Sequence, residues 1–264
     1  MTRLFKSGES LTHPTQEEYL DSISVDCVIF SFHEGEIKVL LNKLLKSSNW
    51  MLPGGFVRVD ENVDDAAYRV LNIRTGLNDV FLKQFHLFGE CNRIDFTDNK
   101  RFIEELNMDE EVAKWYLRRF VTMGYYALIE FGKVNLNTYK EVEELEWFPL
   151  SKLPNLYSDH RHIIESAISS IRVQLGYVPV GYQLLPEKFT MPELRMVYES
   201  IVGKELDRRN FQRKMLSVGL IRKLEEKRRS GPHKAPYLYT FNKEKYEEAE
   251  RSGMYLMSWN GSFL

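Results

Sequence analysis

The hydrophobic pattern along the chain changes period several times, and each change marks an element. Ser24 to Phe32 (SVDCVIFSF) is apolar almost throughout and reads as a buried strand; the HEGE turn and the run Ile37 to Leu44 (IKVLLNKL) complete an antiparallel hairpin. Lys46 to Asn49 is a polar loop, and Trp50 to Val57 returns to the sheet through Pro53, Gly54 and Gly55, where the glycines let the backbone approach a ligand closely. The period then becomes helical. Val63, Ala66, Ala67, Val70 and Leu71 fall on one stripe, the buried face of a helix that Gly76 is placed to cap. Asp60, Glu61, Asp64 and Asp65 precede or open this helix, where its dipole favours negative charge.

Further along, Val80 to Cys91 is a strand candidate, and Asn92 to Trp115 is a charged insert expected to form a helical turn or lid. Phe120 to Phe131 is aromatic and β-branched and reads as an inner strand, with Glu144 to Leu150 as the next. A helix is expected from Asp159, its N-cap, to Gly176, burying Ile163, Ile164, Ala167, Ile168, Ile171 and Leu175. His160 and His162 in its first turn have no third ligand in sequence range, so hydrogen-bonding or pocket-lining roles fit them better than metal binding.

Four Gly and Pro residues within Gly176 to Glu187 mark a linker. Thr190 and Glu193 have capping-box spacing, and the helix they open ends at Gly203. Asp207 caps a second helix, RRNFQRKMLSVG, which Gly219 closes; two helices joined by so short a turn make a helix-turn-helix. Phe211, Met215 and Val218 face inward, which leaves Arg208, Arg209, Asn210, Gln212, Arg213 and Lys214 as candidates to enter a major groove. LIRKLE, a basic turn and YLYTF then form a hairpin wing whose Lys227, Arg228, Arg229 and Lys234 would rest on phosphates.

Charge supports that division. The 264 residues carry a net charge of −2, yet from Pro186 onward there are 16 Lys and Arg against 11 Asp and Glu, a net of +5 that leaves −7 for the rest. A basic third on an acidic body is an electrostatic footprint of nucleic-acid binding, although a solvated basic surface, or a winged helix used for protein contacts, would look alike by charge. Cys27 and Cys91 sit in apolar, strand-like stretches and are expected as buried free thiols in a reducing cytoplasm. With no Cys/His cluster, no metal or other cofactor is expected, and no apolar run reaches membrane-spanning length.

The stretch Gly54 to Leu77 resembles the signature of the Nudix hydrolases. It keeps Gly55, Glu61, Arg69, Leu71, Gly76 and Leu77 at the signature's spacing, while the three helix positions that carry carboxylates in active members are Val70, Ile73 and Arg74. Positions three and four apart share a helix face. Magnesium takes hard oxygen ligands, so two aliphatic side chains and a guanidinium predict a fold that has lost hydrolysis and kept its pocket.

Together with the winged-helix stretch, the whole chain resembles the Nudix-related transcriptional regulators. That resemblance implies an α+β protein: a Nudix-like α/β/α sandwich with a mixed sheet, plus a C-terminal winged helix-turn-helix. The expected divisions are 1–20 as an N-terminal extension, 21–177 as the effector-binding domain, 178–187 as the linker, 188–251 as the DNA-binding domain and 252–264 as an uncharged tail that docks or moves freely. It further implies a cytoplasmic homodimer on double-stranded palindromic DNA, answering to a small molecule, either ADP-ribose or a pentose such as arabinose. For the effector pocket, Lys43, Gly54, Phe56, Arg58 and Glu90 are the candidates, joined by Arg93 and Asp95 if the insert closes over it, since polar groups against an aromatic wall suit a sugar. Two other readings remain open: a Nudix pyrophosphatase acting on a nucleoside diphosphate derivative through displaced ligands, and a sugar-binding or scaffolding protein with no DNA role.

Overall fold

The computed structural model describes residues 18–78, 80–134, 136, 143–175, 181–228 and 235–252. The chain divides into two compact units. One takes the chain to Phe30, Lys38–Leu128 and Gly132–Ala167; the other takes Ser31–Ile37, Ile129–Phe131 and everything from Ile168.

The first unit is built on a six-stranded sheet of β1 (Tyr19–His33), β2 (Glu36–Leu44), β3 (Gly54–Arg58), β4 (Lys83–Phe88), β5 (Val121–Glu130) and β6 (Glu143–Pro149). The strand order is β4-β5-β1-β2-β6, and β3 pairs with β1 off this path. Val25, Cys27 to Phe30, Val39 to Leu41 and Val57 are fully buried and form the centre of the core. β1 starts earlier than its hydrophobic run predicts, because Tyr19 is drawn into an aromatic cluster with Trp115, Phe120 and Phe56. Residues 19 and 20 thus belong to the sheet and not to an extension. β4 is shorter than expected and ends at Phe88, so Cys91 lies in a turn and is exposed, contrary to the expectation of two buried thiols; Cys27 is buried as expected.

Helix α1 (Val63–Thr75) follows β3 and buries Ala66, Ala67, Val70, Leu71 and Ile73. Gly76 closes it with a φ of 71°, a left-handed conformation that glycine adopts without penalty. The N-cap is Asn62, without a side-chain cap bond, and two of the acidic residues at the helix start tie it to the sheet: Glu61 accepts from Arg69 and from the Arg58 amide, and Asp64 accepts from the Tyr125 hydroxyl. The charged insert forms two helices, α2 (Phe96–Leu106) and α3 (Glu110–Tyr116), capped by Asp95 and Asp109. Helix α4 (His160–Gln174) has the buried face the sequence predicts and starts after Asp159, whose carbonyl accepts the Ile163 amide at 3.1 Å while its two carboxylate oxygens go to Arg93.

In the second unit, β7 (Phe189–Thr190), β8 (Ile221–Lys227) and β9 (Tyr237–Phe241) form a small sheet in the order β7-β9-β8. Helices α5 (Met191–Val202), α6 (Arg208–Val218) and α7 (Lys243–Ser252) complete it. Thr190 and Glu193 make a full capping box, Asp207 accepts from the Asn210 amide, and Gly203 and Gly219 end their helices at φ 78° and 73°. Phe189, Val197 and Phe211 are fully buried at its centre. Of the expected linker, 178–180 lie outside the described residues, whereas Leu184 and Leu185 are buried and behave as core. The 252–264 tail, apart from Ser252, also lies outside them.

Candidate functional site: a roofed cavity and a winged helix

The first unit holds a cavity of about 160 Å³ between β1, β3, α1, the two insert helices and the loop before α4. Its lining includes Tyr19, Asp26, Gly54, Phe56, Arg69, Arg74, Arg93, Asn99, Tyr116, Tyr157 and His160. Phe56 forms the aromatic wall, with ring centroids 5.0 Å from Phe120, 5.5 Å from Trp115 and 5.8 Å from Tyr116. Burial pushes the Tyr116 hydroxyl up to about 12, so it stands as a neutral hydrogen-bonding group.

At the signature positions, Val70 and Ile73 are buried and Val70 fills the space over Gly55, where an added Cβ would come within 2.8 Å of it. Arg74 turns inward instead: its Nη1 donates to Glu143 Oε2 at 2.7 Å and its Nη2 to the Gly54 carbonyl at 3.3 Å. Asn42 Nδ2 also donates to Glu143 Oε2 at 2.7 Å. The face that would hold a cation therefore carries a built-in one, neutralised by a carboxylate from β6. Glu61 and Arg69 form a separate clamp: Arg69 Nε lies 2.8 Å from Glu61 Oε2, and Nη2 reaches the Phe56 carbonyl at 2.8 Å. Burial alone would raise the Glu61 carboxyl; the hydrogen bonds from Arg69 and the Arg58 amide outweigh it and hold the group below the usual range.

The insert roofs this cavity, as the sequence suggested. Asn99 is buried and donates to the Tyr116 carbonyl at 2.6 Å while accepting from the Tyr157 hydroxyl. Asp98 accepts from the Ser158 amide at 3.1 Å, and Glu105 from the Ser48 amide at 3.0 Å. Arg93 grips Asp159 through two bonds of 2.9 Å and the Phe120 carbonyl at 3.1 Å.

Of the expected effector residues, Gly54, Phe56 and Arg93 line the cavity. Lys43 pairs with Glu144 at 3.1 Å and stacks on Trp50, Arg58 lies 3.9 Å from Glu18, Glu90 is exposed in a turn, and Asp95 caps α2. These four are not in the lining. Sequence reasoning missed Asp26, Asn99, Tyr116 and Tyr157 as pocket groups; no local motif marks them, because they converge from separate elements.

On the winged helix, Arg208, Arg209, Asn210 and Arg213 are exposed at the N-terminal half of α6. Gln212 leans to the Tyr239 hydroxyl at 3.5 Å, and partial burial lowers the Lys214 ammonium. On the wing, Lys227 and Lys223 sit 4.7 and 3.5 Å from the Tyr237 ring, the second unanticipated. Arg228 is engaged within the fold, paired with Glu193 and donating to the Lys188 carbonyl at 3.1 Å. Arg229 and Lys234 lie outside the described residues.

These features have matching family descriptions. Residues 21–167 match the NUDIX domain. The chain belongs to the Nudix family. Residues 181–241 match the NrtR DNA-binding winged helix domain, so this Nudix protein joins the two modules its sequence implied. It is similar to the ADPR responsive transcriptional repressor NtrR of Acinetobacter baylyi, with 28% identity over 85% of this chain and 84% of the relative. Shewanella oneidensis NrtR, solved in complex with a 27mer DNA, superposes with a TM-score of 0.64 at 26% identity, over 86% of this chain and 96% of that one. A MutT/nudix family protein from Enterococcus faecalis shares the fold at TM-score 0.61 and 22% identity, over 90% of this chain and 95% of the other. Among the described residues no cluster of His, Cys, Asp and Glu is arranged to hold a metal, and no helix is long and apolar enough to cross a membrane.

Proposed function

We propose that this protein is a DNA-binding transcriptional regulator whose Nudix domain binds a small metabolite without hydrolysing it. The observation that carries the reading is Arg74. A guanidinium on the face where active relatives hold carboxylates, paired with Glu143, leaves no carboxylate set there for a divalent metal. ADP-ribose is the effector favoured by the likeness to the Acinetobacter repressor, and the aromatic wall of Phe56 and Tyr116 supplies a stacking surface for a base or sugar. The exposed arginines of α6, on a module matched to a DNA-binding winged helix and in a chain similar to one solved on DNA, support recognition of an operator by Arg208, Arg209 and Arg213.

A homodimer on a palindromic site fits this docking mode, in which two recognition helices enter successive major grooves. Effector binding changes DNA affinity only if the two DNA-binding states differ in their affinity for it. The test is selection of genomic DNA fragments by the purified protein at physiological salt, with and without ADP-ribose, D-ribose and L-arabinose. Enrichment of one palindromic sequence, altered by one of these compounds, is the expected result. Failure to enrich any sequence under every condition would overturn the DNA-binding role.

A further inference from the structure

One donor and one acceptor on the cavity wall stand apart from the ion pairs around them. His160 Nδ1 accepts the Leu52 amide at 2.9 Å, so the neutral imidazole carries its proton on Nε2. That Nε2 lies 3.9 Å from Asp26 Oδ1, beyond direct hydrogen-bonding distance, and the two side chains are 10% and 9% exposed. The other Asp26 oxygen accepts from the Thr122 hydroxyl at 2.8 Å, which fixes the carboxylate plane. Strand register places Gly54 opposite Asp26, and any Cβ at Gly54 would overlap Oδ1. Glycine keeps this oxygen open.

We propose that His160 and Asp26 together seat one hydroxyl group of a polyol portion of the ligand, His160 donating to its oxygen and Asp26 accepting its proton. An oxygen at about 2.8 Å from both atoms subtends roughly 90° between them, a geometry a hydroxyl tolerates. A hydroxyl accepts and donates through one atom, which is what the pair requires. A phosphate oxygen could accept from Nε2 but would meet the Asp26 carboxylate, and a methyl group would leave both unpaired. Burial lowers the His160 imidazole below its ordinary value, aided by Arg93 and against the pull of Asp26 and Asp159, which keeps the ring a neutral donor. On the other side of Gly54, Arg74 is taken up by that residue's carbonyl and by Glu143. The pair thus orients the ligand with its sugar toward His160.

This inference rests on the cavity being the effector site, and the experiment separates the two. Calorimetric titration of the wild type with ADP-ribose, D-ribose and L-arabinose, and of Asp26→Asn with ADP-ribose, is combined with NMR of the histidine ring nitrogens in the wild type. The expected result is affinity at least tenfold weaker in Asp26→Asn, with the His160 Nε2–H signal shifted and protected from exchange when ADP-ribose saturates the wild type. If ADP-ribose binds the wild type but leaves the His160 signal unchanged, the hydroxyl seat is wrong and the effector site stands. That readout holds even if Asp26→Asn does not fold. If ADP-ribose, D-ribose and L-arabinose all fail to bind the wild type, the effector reading falls and takes this one with it.

Discussion

Arg74 Nη1 and Glu143 Oε2 are 2.7 Å apart, and the two side chains are only 8% and 0% exposed. A buried pair of this kind contributes little net stability over apolar side chains of similar volume, but breaking one half leaves a charge without compensation.

Arg74→Met is therefore expected to lower unfolding stability by about 3–5 kcal/mol, and adding Glu143→Leu recovers only part of that loss, because Asn42 Nδ2 then loses its acceptor in the core. Urea denaturation of both variants checks this, and equal destabilisation of single and double variants would contradict it.

Because Val70, Ile73 and the Glu143-paired Arg74 leave no carboxylate set for magnesium, ADP-ribose affinity should change less than twofold when EDTA replaces magnesium. The same preparation should release no AMP from ADP-ribose in the presence of magnesium. A magnesium requirement in either assay would return the protein to the hydrolases.

On the winged helix, Arg209→Ala should weaken specific operator binding by about 1–3 kcal/mol and leave random DNA nearly unchanged. Lys227→Ala should weaken all DNA and reduce the salt slope by about one. Arg228→Ala differs from both: it frees Glu193 of the capping box, so it should lower the melting temperature as well as DNA affinity. Fluorescence anisotropy across a salt series, with thermal melts, distinguishes the three.

The lowered His160 pKa makes stability depend on pH in one direction. Below the ordinary value of 6.5 the unfolded chain takes up a proton that the folded ring resists, so stability present above pH 6.5 is lost as pH falls toward the folded value. In His160→Asn this contribution is absent. Chemical denaturation from pH 8 to 5 should show the wild type losing more stability than the variant over the acidic part of the range.

The features legible in the sequence are local. Gly76, Gly203 and Gly219 end their helices as predicted because the left-handed cap needs one glycine at one place. The Thr190–Glu193 box is equally local. The pocket is not. Asp26 and Thr122 are bonded across 96 positions, and the Leu52 amide meets His160 across 108, so no spacing rule could pair them. Lys43 and Arg58 have the right chemistry for a ligand, but Glu144 and Glu18, nearer in the fold, take them. Arg228 shows the same competition on the wing, where its charge suggested phosphate and Glu193 engages it. Cys91 failed as a core residue because β4 stops three residues short of it, at Phe88.

A hydrolase that borrows its cation from solution reports on two concentrations at once, the metal's and the nucleotide's. If Arg74, held by Glu143, stands where such a metal would sit, occupancy of the cavity would depend on the metabolite alone. A genetic switch reading such a pocket would keep its threshold constant while the cell's free magnesium varies.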